Sequence, residues 1–114
     1  MSDDPDLETV VELLDDAYAR EILTATSIEP MTATELSERC DASLSTVYRR
    51  TERLVEADLL GERTRPRADG HHDTVYFATL DSVEVRLRDG ELHVEVERER
   101  GDLADGLTAL WENL

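Results

Sequence analysis

Residues 32–60, TATELSERCDASLSTVYRRTERLVEADLL, decide how this chain folds. Thr32 with Glu35 three positions on forms a capping-box pattern, in which hydroxyl and carboxylate each satisfy an orphan backbone N–H at a helix start. Ala33, Leu36, Ser37 and Cys40 then fall at helical spacing and would face a core. Asp41 and Ala42 supply a turn. Ser43 is a good N-cap for a second, longer helix, with no Pro or Gly before Gly61. On that helix Leu44, Val47, Thr51 and Leu54 share one face, with Val55 at its margin. At about 100° per residue, Ser45, Arg49 and Arg53 point the other way, Thr46 and Arg50 to one flank and Tyr48 to the other.

Two short-linked helices running into a hairpin have the layout of a winged helix-turn-helix, whose second helix is shaped for the DNA major groove. Hydroxyls at the start of that helix suit close approach to base edges, and arginines further along suit guanine or phosphate. Downstream, Leu59 to Arg65 reads as a strand, Pro66 to His72 (PRADGHH) as a polar wing tip, and Thr74 to Thr79 as the return strand. The plain reading of the tip is an exposed loop. The functional one, favoured by the helix before it, is a wing touching the DNA backbone or minor groove through Arg63, Arg65, Arg67, His71 and His72.

From Tyr18 to Ala78 the chain resembles the winged-helix domain of ArsR-like transcription regulators and the related MarR- and TrmB-like ones, especially the acidic versions of halophilic archaea. The likeness rests on AREIL at 19–23, the whole of 32–60, and VYFA at 75–78. It implies a homodimer on a roughly palindromic operator. It further implies base contacts by Ser45, Thr46, Arg49 and Arg50, and phosphate contacts by Ser43, Tyr48, Arg53 and the wing. The cysteine-pair motif of metal-sensing ArsR repressors is absent, so metal sensing does not carry over.

Composition alone would not suggest a nucleic-acid partner. At 114 residues the chain is one small domain, or a domain with an appendage, and its formal net charge is −16. All twelve basic residues are arginine, against 28 acids. An acidic, lysine-free composition suits molar salt, where net charge protects solubility; a GC-rich genome favouring arginine codons is the plainer alternative. The placement of charge is sharper than its total. Residues 43–72 hold six arginines and five acids, whereas residues 1–42 hold two arginines and twelve acids. Half the arginines thus lie where a polyanion would dock. No apolar run is long enough to span a membrane, and MSDDPDLE is the opposite of a secretory signal. One cysteine excludes an internal disulfide and fits a reducing cytoplasm.

Two further helices are predicted ahead of the pair. The first runs from Leu7 to Leu14, capped by Asp6, with Leu7, Val10, Val11 and Leu14 on one face. The second covers Asp16 to Ser27, buries Ala19, Ile22, Leu23 and Thr26, and stops before Pro30. Beyond residue 80, SVEVRLR-DG-ELHVEVER alternates strictly around Asp89-Gly90, a strong type I′ hairpin signal. That loop pairs Leu87 with Leu92, Val85 with Val94 and Val83 with Val96 on one face. The other face pairs Arg88 with Glu91 and Arg86 with His93, and sets Glu84 against Glu95. From Asp102 to Leu114, Leu103, Leu107, Leu110 and Leu114 recur with Trp111 beside them, as in an amphipathic helix. Such a helix could cover the hairpin's apolar face or cross a dimer axis. These eleven apolar residues are the expected dimer interface.

The remaining candidates are weak. Cys40 lies on the core-facing side, so a structural cysteine outweighs a redox sensor. His71-His72 lacks a third ligand, and His93 is expected on the solvated hairpin face. No nucleophile motif, phosphate-binding glycine loop or metal-ligand cluster stands in the sequence, so neither catalysis nor a cofactor is expected. The reading is therefore an α+β chain. Residues 1–80 form a winged helix-turn-helix that binds double-stranded DNA, and residues 81–114 form a dimerisation hairpin and helix. It would be a cytoplasmic gene regulator, with repression the commonest outcome for this family; the alternatives are a protein-interaction adaptor or a ligand- or redox-responsive regulator.

Overall fold

A computed structural model describes residues 4–99. Its elements run α1 (Leu7–Asp15), α2 (Ala17–Ile28), β1 (Met31–Thr32), α3 (Ala33–Cys40), α4 (Leu44–Glu56), β2 (Leu60–Pro66), β3 (His72–Ala78), β4 (Leu80–Arg88) and β5 (Glu91–Arg98). Each helix begins on a side-chain cap. Asp6 accepts from Thr9 N, Asp16 from Tyr18 N and Ala19 N, and Ser43 from Thr46 N. The Thr32–Glu35 capping box is formed in full at α3.

Helices α3 and α4 also stop in the same way. Asp41 and Asp58 adopt left-handed backbone, with φ of 50° and 58°. At the first stop the N–H of Ala42 reaches Ser37 O, and at the second the N–H of Leu59 reaches Leu54 O at 2.9 Å. Both are Schellman endings, which satisfy carbonyls the helix leaves open. Aspartate tolerates this conformation better than most side chains, so the tight turn between α3 and α4 needs no glycine.

The core gathers Leu13, Ile22, Leu36, Val47, Leu54, Leu59 and Leu60, all at most 1% exposed. Ala33, Cys40, Ala19, Leu23 and Thr26 are buried as expected, and Ser37 is half-buried. Two positions depart from the sequence reading. Val11 is 54% exposed while Leu13 is buried, because Val11 is turned about 100° from Val10 and the buried stripe runs through Val10 and Leu13 instead. Leu44 is 43% exposed, since it occupies the first turn of α4, outside the packed middle of that helix.

Strands β1, β3 and β2 form an antiparallel sheet in that order, with β2–β3 as the wing. The two-residue β1 pairs Met31 with Tyr76, and is too short to leave a periodic signal in sequence. The wing strands begin and end one or two residues from their predicted bounds, and Pro66 ends β2 on an edge where its missing N–H disrupts no inner ladder. Opposite Phe77 lies Gly61; a Cβ there would collide with the Phe77 ring.

Strands β4 and β5 form a separate two-stranded sheet in the predicted register, from Val83–Val96 through Leu87–Leu92. Asp89 and Gly90 both have positive φ, as a type I′ turn requires. The base of this hairpin is fastened to the end of α4. Arg98 donates from Nε to Asp58 O at 2.6 Å, from one terminal nitrogen to Ala57 O at 3.3 Å and from the other to Asp4 Oδ1 at 2.7 Å. Thr79 also bonds Asp58 O, at 3.2 Å. The whole is an α+β winged helix-turn-helix with an appended hairpin. The predicted helix from Asp102 to Leu114 lies outside the described residues.

Candidate nucleic-acid interface

The front of α4 is built by its cap. Ser43 Oγ accepts from Thr46 N at 3.1 Å, donates to Thr46 Oγ1 at 3.0 Å and lies 3.2 Å from Ser45 Oγ. Three hydroxyls therefore cluster where the helix dipole is positive and where backbone N–H groups point outward. Ser43 and Ser45 are exposed and Thr46 is half-buried. One turn further on, Arg49 is exposed. Among the described residues it has no acidic partner within ion-pair distance.

The other arginines of α4 are tied down. Arg50 turns back against the start of α2, where its Nε donates to Asp16 Oδ2 and its guanidinium lies 5.9 Å from the centre of the Tyr18 ring. Partial burial opposes ionisation of Asp16, but the Ala19 N–H and the Arg50 guanidinium outweigh it and hold the carboxyl below its ordinary range. Arg53 donates to Glu12 Oε2 of α1 at 3.1 Å, in a pair open to solvent.

Acids also accompany the wing. Arg67 lies 2.9 Å from Asp69 and 3.6 Å from Asp73. Arg65 lies 3.8 Å from Glu35 and 3.9 Å from Asp73, so Asp73 serves two guanidiniums. Arg63 sits over the Phe77 ring at 5.3 Å. His71 Nδ1 is 3.3 Å from Asp69. The turn is closed by Arg67 N donating to His71 O at 2.8 Å and by Gly70 at φ 87°.

Tyr48, 53% exposed, stands between two open clefts. One, of about 220 Å³, is lined by Thr32, Thr34, Tyr48, His72, Asp73 and Thr74 among others, so the hydroxyls between helices and wing stand beside one carboxylate. The other, of about 270 Å³, carries Glu52, Glu56 and Glu62 beside Tyr48 and Tyr76, a lining that repels phosphate. Sequence reasoning does not single out Thr34 or Thr74. An exposed threonine carries no local signal, and only the return of β3 past α3 brings the two together.

Cys40 is buried, and its thiol is pushed up to about 11, first by burial and then by the charge of Glu21. It stays protonated at neutral pH, which disfavours a thiolate sensor. Among the described residues no group of three or more His, Cys, Asp or Glu is placed to hold a metal ion, and no helix is long and apolar enough to cross a membrane. Of the expected dimer-interface residues, Leu87, Leu92 and Val85 are 72%, 56% and 50% exposed, while Val83, Val94 and Val96 are half-buried. Leu103, Leu107, Leu110, Trp111 and Leu114 lie outside the described residues.

Residues 14–63 match the family model of a helix-turn-helix domain. The match runs from the end of α1 through α4 into the first wing strand. No curated protein matches the chain.

Proposed function

We propose that this chain is a sequence-specific, DNA-binding transcription regulator of the ArsR-like type. It would act in the cytoplasm of a halophile as a homodimer and repress by occupying a promoter. The observation that carries the reading is the front of α4, where Ser43, Ser45 and Thr46 lead to Arg49, which no acid engages among the described residues. Base edges would meet the hydroxyls and Arg49. No catalytic or cofactor role is proposed.

The setting explains why so acidic a chain could bind DNA. At about 1 M salt the Debye length is roughly 3 Å, so the acidic flanks no longer repel the duplex at a distance. Counterion release is weak there too, and affinity must come from direct hydrogen bonds, shape and the bivalency of a dimer. Selection of duplexes from a random pool at molar KCl, followed by titration across salt, tests this. A half-site repeated at about 34 Å and a shallow or inverted dependence of affinity on salt are expected. Recovery of no shared sequence, or a steep loss of affinity with rising KCl, contradicts the reading.

A second reading, a protein-interaction adaptor, has its own observation. Arg50, Arg53, Arg65 and Arg67 are all engaged by the chain's own carboxylates, which leaves fewer free cations for a polyanion. Promoter occupancy unchanged by Arg49→Ala in a folded protein would favour that adaptor.

A further inference from the structure

The outward line of α4 that carries Ser45 and Arg49 continues to Glu52. At about 100° per residue, Arg49 lies about 40° to one side of Ser45 and Glu52 about 20° to the other, so all three face outward together. Glu52 is exposed. Among the described residues no arginine or histidine lies within ion-pair distance of it. Arg49, three positions earlier, is left open in the same way. An arginine that precedes its acid makes the weaker order of helical pair, and here neither side chain engages the other.

We propose that Glu52 is a specificity-determining residue of this surface, accepting a hydrogen bond from the N4 amino group of a cytosine in the major groove. The inference rests on the reading of α4 as a DNA-contacting helix. A carboxylate can only accept, so on a duplex it is matched by exocyclic amino groups and repelled by phosphate. Phosphate is already disfavoured on this flank, where Glu52 lines a cleft with Glu56 and Glu62. The amino groups facing the major groove are adenine N6 and cytosine N4. The adenine donor has acceptors on both sides, its own N7 and thymine O4. The cytosine donor stands at the end of its pair's pattern, with acceptors on one side alone, and is the better match. From Arg49 to Glu52 the helix rises about 4.5 Å. That is close to one base step of about 3.4 Å. Arg49 on a guanine and Glu52 on a neighbouring cytosine would then read adjacent pairs with one donating and one accepting side chain. A duplex with no amino group at that place leaves the carboxylate desolvated and unpartnered, and is rejected.

Selection of duplexes from a random pool at molar KCl tests the assignment, run on the full chain and on Glu52→Gln, Glu52→Ala and Glu56→Gln. The unaltered protein should recover a cytosine next to the guanine whose selection depends on Arg49. Replacing that cytosine's pair should weaken binding about tenfold to a hundredfold. Glu52→Gln should change the cytosine to adenine, since glutamine pairs with adenine N6 and N7, and Glu52→Ala should leave the position open to any base. Glu56→Gln removes the same charge about 6 Å further along the helix and should leave the base preferences as they are. Melting temperatures equal to that of the unaltered protein show that each variant is folded. Two results would overturn the assignment while leaving the DNA-binding reading in place: base preferences unchanged in Glu52→Ala, or an equal gain in affinity for every duplex in both glutamine variants. Recovery of no shared sequence by the unaltered protein would remove that reading, and this one with it.

Discussion

Asp16 and Arg50, 34 positions apart in sequence, join the start of α2 to the middle of α4 through one carboxylate. Its Oδ1 receives the N–H groups of Tyr18 and Ala19, and its Oδ2 receives Arg50 Nε. The cap of one helix is thus also the anchor of the next but one. The guanidinium so held is not free to meet bases unless the contact opens.

Asp16→Ala should destabilise the fold by about 1–2 kcal/mol, the usual worth of a lost cap, with Asp16→Asn costing less because asparagine still caps. The same group shapes the acid response. Asp6, Asp16 and Glu35 all have carboxyls held below their ordinary range in the folded state, Asp6 by the Thr9 hydrogen bonds and Glu35 by Thr32. Depressed carboxylates stabilise fully above the unfolded value of about 4 and lose that contribution as pH falls through the folded values. Urea unfolding at fixed molar salt should show stability dropping below about pH 4, with a shallower drop in Asp16→Asn and Glu35→Gln.

Arg49→Ala should leave the melting temperature unchanged, since no carboxylate among the described residues pairs with the side chain. Binding to the selected duplex should weaken by about tenfold to a hundredfold, the worth of one good base contact. An equal loss for every duplex sequence would reassign Arg49 from base reading to phosphate contact.

Asp73→Asn removes the carboxylate shared by Arg65 and Arg67. Affinity for non-specific duplex at low salt should rise, with the slope of log K against log salt steeper by about 1 for each phosphate newly neutralised. Filter binding across a salt series reads both. An unchanged slope would place the wing away from the backbone.

Gly61→Ala should destabilise by about 1–3 kcal/mol, because the added methyl meets the Phe77 ring across the β2–β3 pair. Adding Phe77→Ala should relieve part of the clash. The cycle of single and double variants in thermal unfolding measures that coupling.

What is legible in the sequence is local. Capping residues, the Leu36–Cys40 stripe, the Asp89-Gly90 turn and the Leu87–Leu92 register are set within a few residues, so periodicity and turn chemistry suffice. Contacts between distant elements are not legible. Helical spacing puts Arg50 on a flank of α4, but only packing shows that the start of α2 lies against that flank. Arg53 likewise finds Glu12, 41 positions away. The front of α4 is more legible than its sides because Ser43, Ser45 and Arg49 touch little else of the chain. Periodicity favours Val11 over Leu13 because both lie close to an apolar stripe, and the sequence of α1 alone does not centre it.

Arg98 gives the molecule a mechanical linkage. It grips the carbonyls that close α4 from a strand belonging to the other sheet, so the hairpin is bolted to the rear of the helix rather than trailing from it. Displacing the base of the hairpin therefore means breaking the bonds at Ala57 and Asp58 or carrying along the end of the helix whose first turn bears Ser45.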